Sequence, residues 1–129
     1  MEAASLETDI ELGVWHVTED RVRQYLAAVA DGSQVYYQYG LVPPLALAAC
    51  TLGSLLEKLE LPPGAIHSLQ EIDTLQPVAF GEEVKATARV ERPRRRGDLE
   101  FTTVSYCLDN SAGQRVQTGK TTVLVTRTA

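Results

Sequence analysis

His67 is flanked by Ser68, Gln70, Glu71 and Asp73, a run that is polar at both odd and even positions. An imidazole is the side chain best suited to move protons near neutral pH. A strand with polar residues on both faces suits a subunit seam or a ligand groove, and the same pattern also fits a hydrogen-bonded structural histidine at a seam. His16, beside Trp15, has no comparable company. A second cluster, Arg92-Pro93-Arg94-Arg95-Arg96, is cationic in a chain of net charge −5. Guanidinium groups pair phosphate oxygens bidentately, so these residues read as a phosphate-binding turn. They read equally as a solvated turn whose charge keeps foreign strands off an edge. No aromatic residues interleave them, so they do not read as a nucleic-acid site. Two histidines and two cysteines (Cys50, Cys107), without CxxC or Cys/His spacing, give no metal site. Both thiols are expected to be buried and reduced.

The elements that position these groups follow from period and punctuation. A short edge strand is expected near residues 10–17. Thr18 is a good N-cap with Glu19 and Asp20 in the first turn, and Val22, Tyr25, Leu26 and Val29 mark a short amphipathic helix ending near Asp31-Gly32. Residues 33–42 hold three tyrosines without a period and read as a structured loop or broken helix. Pro43-Pro44 opens a long helix, because a first-turn proline lacks an N–H that would have no intrahelical partner anyway. That helix runs to about Glu60, with Leu45, Leu52, Leu55, Leu56 and Leu59 on one broad side. Ala46, Ala48, Ala49 and Gly53 are small enough for strands to approach. Four strands follow, at about 65–76, 82–92, 99–109 and 114–127, with Val84, Ala86, Ala88 and Val90 alternating inward.

A helix this apolar must be wrapped, and a curved antiparallel sheet is the simplest wrapping, giving an α+β fold. At 129 residues the chain makes one domain (10–129) behind an N-terminal arm (1–9), with enough length to bury a core without staples. The acidic N-terminus has no apolar segment of signal-peptide type, and the longest apolar run is well short of the ~20 residues of a membrane span. A cytoplasmic protein without nucleic-acid or membrane partners is expected.

Three stretches, TEDRVRQYLAAVADGSQVYY, LVPPLALA and GAIHSLQEIDTLQPVAFGEEV, resemble the MaoC-like hydratase/dehydratases. The likeness covers roughly residues 10–126 and is nearest to the branch whose hot-dog domain lacks the full catalytic motif. It implies a hot-dog fold and an acyl-thioester ligand, on coenzyme A or an acyl carrier, with no further cofactor. It also implies assembly as a homodimer, or a heterodimer with a second hot-dog subunit, that joins two sheets into one. Active members carry Asp-x-Asn-Pro-x-His, which here reads Asp31-Gly32-Ser33-Gln34-Val35-Tyr36. Asp31 is kept and Tyr36 stands for the histidine. Phenols ionise near 10 and imidazoles near 6.5, so a tyrosine is the poorer base at pH 7. Where the family places a His-Gly pair whose N–H groups polarise the thioester carbonyl, this chain has Pro43-Pro44, and neither has an N–H to give.

The resemblance therefore implies an accessory subunit of an enoyl-thioester hydratase/3-hydroxyacyl-thioester dehydratase. It would bind substrate through Pro43, Pro44, Leu45, Arg94, Arg95 and Arg96, while a partner supplies the complete Asp/His site. Asp31, Tyr36 and His67 are the catalytic candidates if the chain is a self-sufficient hydratase. A hot-dog thioesterase using Glu57 or Glu71, and an acyl-CoA-binding regulatory protein, are the other readings.

Overall fold

The computed structural model describes residues 8–126. Six strands form one antiparallel sheet: β1 (Thr8–His16), β2 (Ile66–Thr74), β3 (Glu83–Val90), β4 (Arg94–Arg96), β5 (Leu99–Asn110) and β6 (Arg115–Thr126). Their order is β1-β3-β5-β6-β2, with β4 also on β5, so β1 and β2 are the edges. Three helices, α1 (Glu19–Ala28), α2 (Val35–Tyr39) and α3 (Pro44–Leu59), fall between β1 and β2. Residues 1–7 of the expected arm lie outside the described residues, while Thr8 and Asp9 already belong to β1. Among the described residues, no helix is long and apolar enough to cross a membrane.

The wrapped helix is α3, which packs against β1 and β6. Its buried side matches the leucine side expected only in part, with Leu55 buried and Leu52 and Leu59 half-buried. Ala46, Leu47, Ala48, Thr51 and Leu55 face the sheet, whereas Leu45 is 59% exposed and Leu56 36%. Ala49 and Gly53 also point outward. Small residues inside let the helix axis lie close to the strands, and Thr51 satisfies its hydroxyl on Leu47 O at 2.8 Å. The facing strand residues are those the alternation of β3 predicts, with Val84 and Ala86 fully buried and Ala88 nearly so. Val104, Tyr106 and Leu108 of β5 continue this floor.

Local chemistry shortens α1. Thr18 caps it through the Arg21 N–H at 3.3 Å, but it ends at Ala28 rather than Asp31. Ala30 turns left-handed (φ 57°) and the Asp31 N–H folds back to Leu26 O at 2.8 Å. Val22 and Leu26 are buried, and Val29 is exposed instead of packing. The broken-helix reading of 33–42 holds: α2 is one short helix closed by Gly40 in the left-handed region. Stacked contacts pin it, with the Arg23 guanidinium 4.8 Å over the Tyr37 ring and Tyr37 edge-on to Phe80. The arginines expected in a turn form β4 instead, paired Arg94–Phe101, Arg95–Glu100 and Arg96–Leu99, and the turn is Gly97-Asp98. Both cysteines are free and half-buried rather than buried. Burial pushes the Cys50 thiol up, against a smaller lowering by Arg21.

Candidate functional site

The start of α3 is held from three sides. The Val42 N–H donates to Val78 O at 2.8 Å, and the Phe80 N–H to Gly40 O at 2.9 Å. From below, Gln117 on β6 donates Nε2–H to Pro44 O at 3.0 Å and accepts the Tyr106 hydroxyl at 2.9 Å. Gln117 is fully buried, and burial pushes the Tyr106 phenol up to about 12, so it is a neutral donor. Tyr106 lies over Gly119, its cross-strand partner, where any Cβ would enter the ring. Within the first turn, the Ala46 and Leu47 N–H groups both go to Pro43 O, at 2.9 and 3.4 Å. Pro43 and Pro44 have no N–H, so Leu45 holds the amide that these bonds leave over.

Around that amide the fold gathers most of the residues expected to act. An open cavity of about 710 Å³ is lined by Asp31, Tyr36, Pro43, Pro44 and Leu45, together with Tyr25. Asp31 closes a turn, its Oδ1 accepting the Ser33 N–H at 2.9 Å, and the Ser33 hydroxyl accepts the Val35 N–H at 3.3 Å. This pair of side-chain bonds sets the entry to α2 and so places Tyr36. Tyr36 and Pro44 also line a second, mostly apolar cavity of about 310 Å³, walled by Val35, Tyr39, Leu41 and Leu75. They are the partition between the two spaces.

Tyr25 was not singled out in the sequence. Burial, then the neighbouring Tyr36 and Asp31, push its phenol up, which places all three in one electrostatic group. The available signal was a hydroxyl-bearing residue on the apolar stripe of α1. Gln117 was missed as well, and its signal was an amide at an inward strand position.

His67 is not part of this group within a protomer. It sits exposed near the start of β2, whereas Thr74, at the other end, reaches the apolar cavity. Seven residues of strand separate them, roughly 23 Å. Asp31 lines one cavity and His67 lines neither, so the two are not brought together at one cavity within a chain. No histidine lines either cavity. The environment of His67 is nonetheless specific. Gln70 donates Nε2–H to Glu71 O at 3.2 Å, and its Oε1 accepts Thr121 Oγ1–H at 2.7 Å. His67 Nε2 lies 3.1 Å from that same Oε1, which can only accept, so Nε2 carries a proton and the lone pair of a neutral imidazole there would be on Nδ1.

Arg94, Arg95 and Arg96 are exposed and line neither cavity. Arg94 shares a transverse row with Phe101, Leu124 and Ile66, and that row ends on the β2 edge. Glu57 lies on the outward side of α3 and Glu71 beside Lys120 on the sheet, so neither acid joins the site.

No family model and no curated protein matches the sequence. Solved structures do. A monoamine oxidase regulatory protein from Archaeoglobus fulgius is 18% identical with a TM-score of 0.79, over 96% of this chain and 92% of that one. The (R)-hydratase of A. caviae involved in PHA biosynthesis is 20% identical with a TM-score of 0.72, over 91% and 92%. The HadBC (3R-hydroxyacyl-ACP dehydratase) complex of Mycobacterium tuberculosis is 16% identical with a TM-score of 0.74, over 92% and 96%. At such identities the likeness is one of fold. The chain has the hot-dog fold, an α+β sheet curved about one helix, in the form shared by MaoC-like dehydratases and (R)-hydratases.

Proposed function

We propose that this chain is an acyl-thioester-binding subunit of an enoyl-thioester hydratase/3-hydroxyacyl-thioester dehydratase, incomplete as a catalyst within a single protomer. The observation that carries this reading is the make-up of the cavity at the start of α3. One free backbone amide, Leu45, sits there with Tyr36 and Asp31, and no histidine lines the space. One amide facing a thioester oxygen holds and polarises it. A phenol and a half-engaged carboxylate hold a second ligand oxygen or a water. What the space lacks is an imidazole, the group best matched to take a proton at pH 7, and in this reading it comes from the subunit across the β2 edge. The apolar second cavity suits an acyl chain, with Tyr36 and Pro44 between chain and thioester.

Assembly through β2 follows from its exposed edge. Ile66 is 56% exposed and Leu69 53%, on a strand whose far side has no partner among the described residues. An unpaired edge of nine residues is a pairing site unless something blocks it. The HadBC structure is a complex of such subunits, which supports a hot-dog partner here. In that arrangement the arginine row runs up to the seam on the face of the sheet away from α3 and its cavities.

The test is binding. Hexanoyl-CoA at 100 times its Kd should stabilise the fold by about 2.7 kcal/mol, visible as a rise in Tm. Free coenzyme A should act more weakly, and Leu45, Tyr36 and Asp31 amide resonances should shift in the bound state. No change in Tm and no shifted resonances would reduce the likeness to one of fold alone.

A further inference from the structure

We infer that His67 acts in trans: it completes the thioester site of the subunit paired across β2, as the base that each protomer lacks. The inference rests on the reading of the α3 cavity as an acyl-thioester site, and goes beyond it by naming the missing group and its chain.

The first support is the face on which His67 lies. Counting by twos from Leu69, Glu71 and Asp73 would put it on the side of the sheet away from α3. A bulge intervenes, because His67 pairs with Val123 while Leu69 pairs with Thr122, leaving Ser68 extra. Val123 is 1% exposed and points into the core under α3. His67 therefore projects on the helix side, the side that carries both cavities, and its hydrogen bond to Gln70, opposite Thr121 on that same side, agrees.

The second support is position. The occupant of the β2 edge is taken as a second copy, because the strand is compatible with two-fold pairing on itself. A two-fold axis normal to the sheet requires paired residue numbers to sum to an even value, since opposed residues share a face. Pairing centred on Gln70, with Ser68 left out as the bulge, opposes Leu69 to Glu71, His67 to Ile72 and Ile66 to Asp73 on matching faces, and so sets the start of one β2 against the end of the other. Adjacent strands lie about 4.8 Å apart. The partner's His67 then stands opposite Ile72, with Thr74 its diagonal neighbour on the same face, and Thr74 continues into Leu75 at the wall of the apolar cavity, where Tyr36 and Pro44 also lie. A separation of roughly 23 Å within one chain becomes a cross-strand diagonal of about 7–8 Å between chains.

The third support is the tautomer. Gln70 holds Nε2–H, so in the neutral imidazole the free nitrogen is Nδ1, a lone pair ready to accept a proton. The step balances as follows. Nδ1 of the partner's His67 takes a proton from water, and the water oxygen bonds to Cβ of the enoyl thioester. The electron pair of the double bond moves through Cα to the thioester oxygen, an enolate facing the Leu45 N–H. The Tyr36 hydroxyl then delivers a proton to Cα, and solvent carries the imidazolium proton back to the phenolate. One water is added and nothing is oxidised; dehydration is the reverse.

The experiment is complementation between two variants, read as hydration of crotonyl-CoA. H67A and Y36F homodimers should each lose about 10²–10⁴ in kcat/KM. A purified mixed dimer of one H67A and one Y36F subunit, isolated by two tags, contains one intact composite site and should recover about half the wild-type rate. Recovery establishes the trans arrangement. Mixed dimers as inactive as both parents would overturn it, since a site built within one chain cannot be rescued this way. H67A turning over like the wild type would overturn it too, as would a wild type that binds hexanoyl-CoA but does not hydrate crotonyl-CoA. In that last case the binding role stands and only the trans base falls. A wild type that binds no thioester sinks both.

Discussion

The double variant I66E/L69E is expected to fold normally, run as a monomer and hydrate crotonyl-CoA about 10²–10⁴ more slowly than the wild type. Both side chains are more than half exposed in the isolated protomer, so their replacement removes little from its core. At the seam the same change is severe. With pairing centred on Gln70, the carboxylate introduced at position 69 of one copy meets Glu71 of the other. With pairing shifted by one residue, it meets its own counterpart. Like charges directly opposed across an antiparallel pair oppose pairing in either register. Light scattering gives the mass, circular dichroism the fold, and the enoyl absorbance the rate. A variant that becomes monomeric and keeps full turnover would show that one chain holds every group it needs. A variant that stays dimeric would place the assembly surface elsewhere than β2.

The second large effect concerns α3. Leu55→Ala should cost about 2–5 kcal/mol, because Leu55 is 0% exposed and the surrounding strands cannot close on the space it leaves. Leu56→Ala, one residue on, should cost under about 1 kcal/mol, since its side chain lies on the outward face at 36% exposure. Urea midpoints at constant m-value measure both. Equal costs would mean that the outward face of α3 is covered too.

This contrast marks where the sequence is legible. β3 shows its phase because Val84, Ala86 and Ala88 alternate with charges, so every residue states its face. α3 is apolar nearly all round, and with no polar stripe its phase is set by packing: Leu55 of the expected leucines is buried, with Ala46, Leu47, Ala48 and Thr51, while Leu45 and Leu56 turn outward. The Pro43-Pro44 start was readable because proline chemistry is local, and so was the gathering of Asp31, Tyr36 and Leu45, which follows from a helix end, a turn and a helix start in sequence. Gln117 came from an element far along the chain, and only tertiary packing brings it to the site; Tyr25, close before Asp31, was visible only as part of the α1 stripe. His67 was visible as a residue but not as a direction. One extra residue in β2 reverses the face on which it lies, and nothing in Ser68 announces a bulge. β4 was read as a turn since its arginines look solvated, and they are exposed; pairing with β5 gives their backbone a strand register all the same.

The Tyr106–Gln117–Pro44 chain gives the site an alkaline limit. In the unfolded chain the phenol ionises near 10, while in the fold burial raises it to about 12. A raised folded value means that the native state holds the proton longer, so the contribution is whole below about pH 10 and lost as pH climbs from there to about 12. A phenolate can no longer donate to Gln117 Oε1, and Gln117 is the side chain that ties Pro44 O to the sheet. Base should therefore melt the protein from the start of α3, with ligand affinity falling before the far strands open. Tyr106→Phe should remove the steep part of that alkaline loss in a pH series of unfolding midpoints, because it leaves no buried proton to give up.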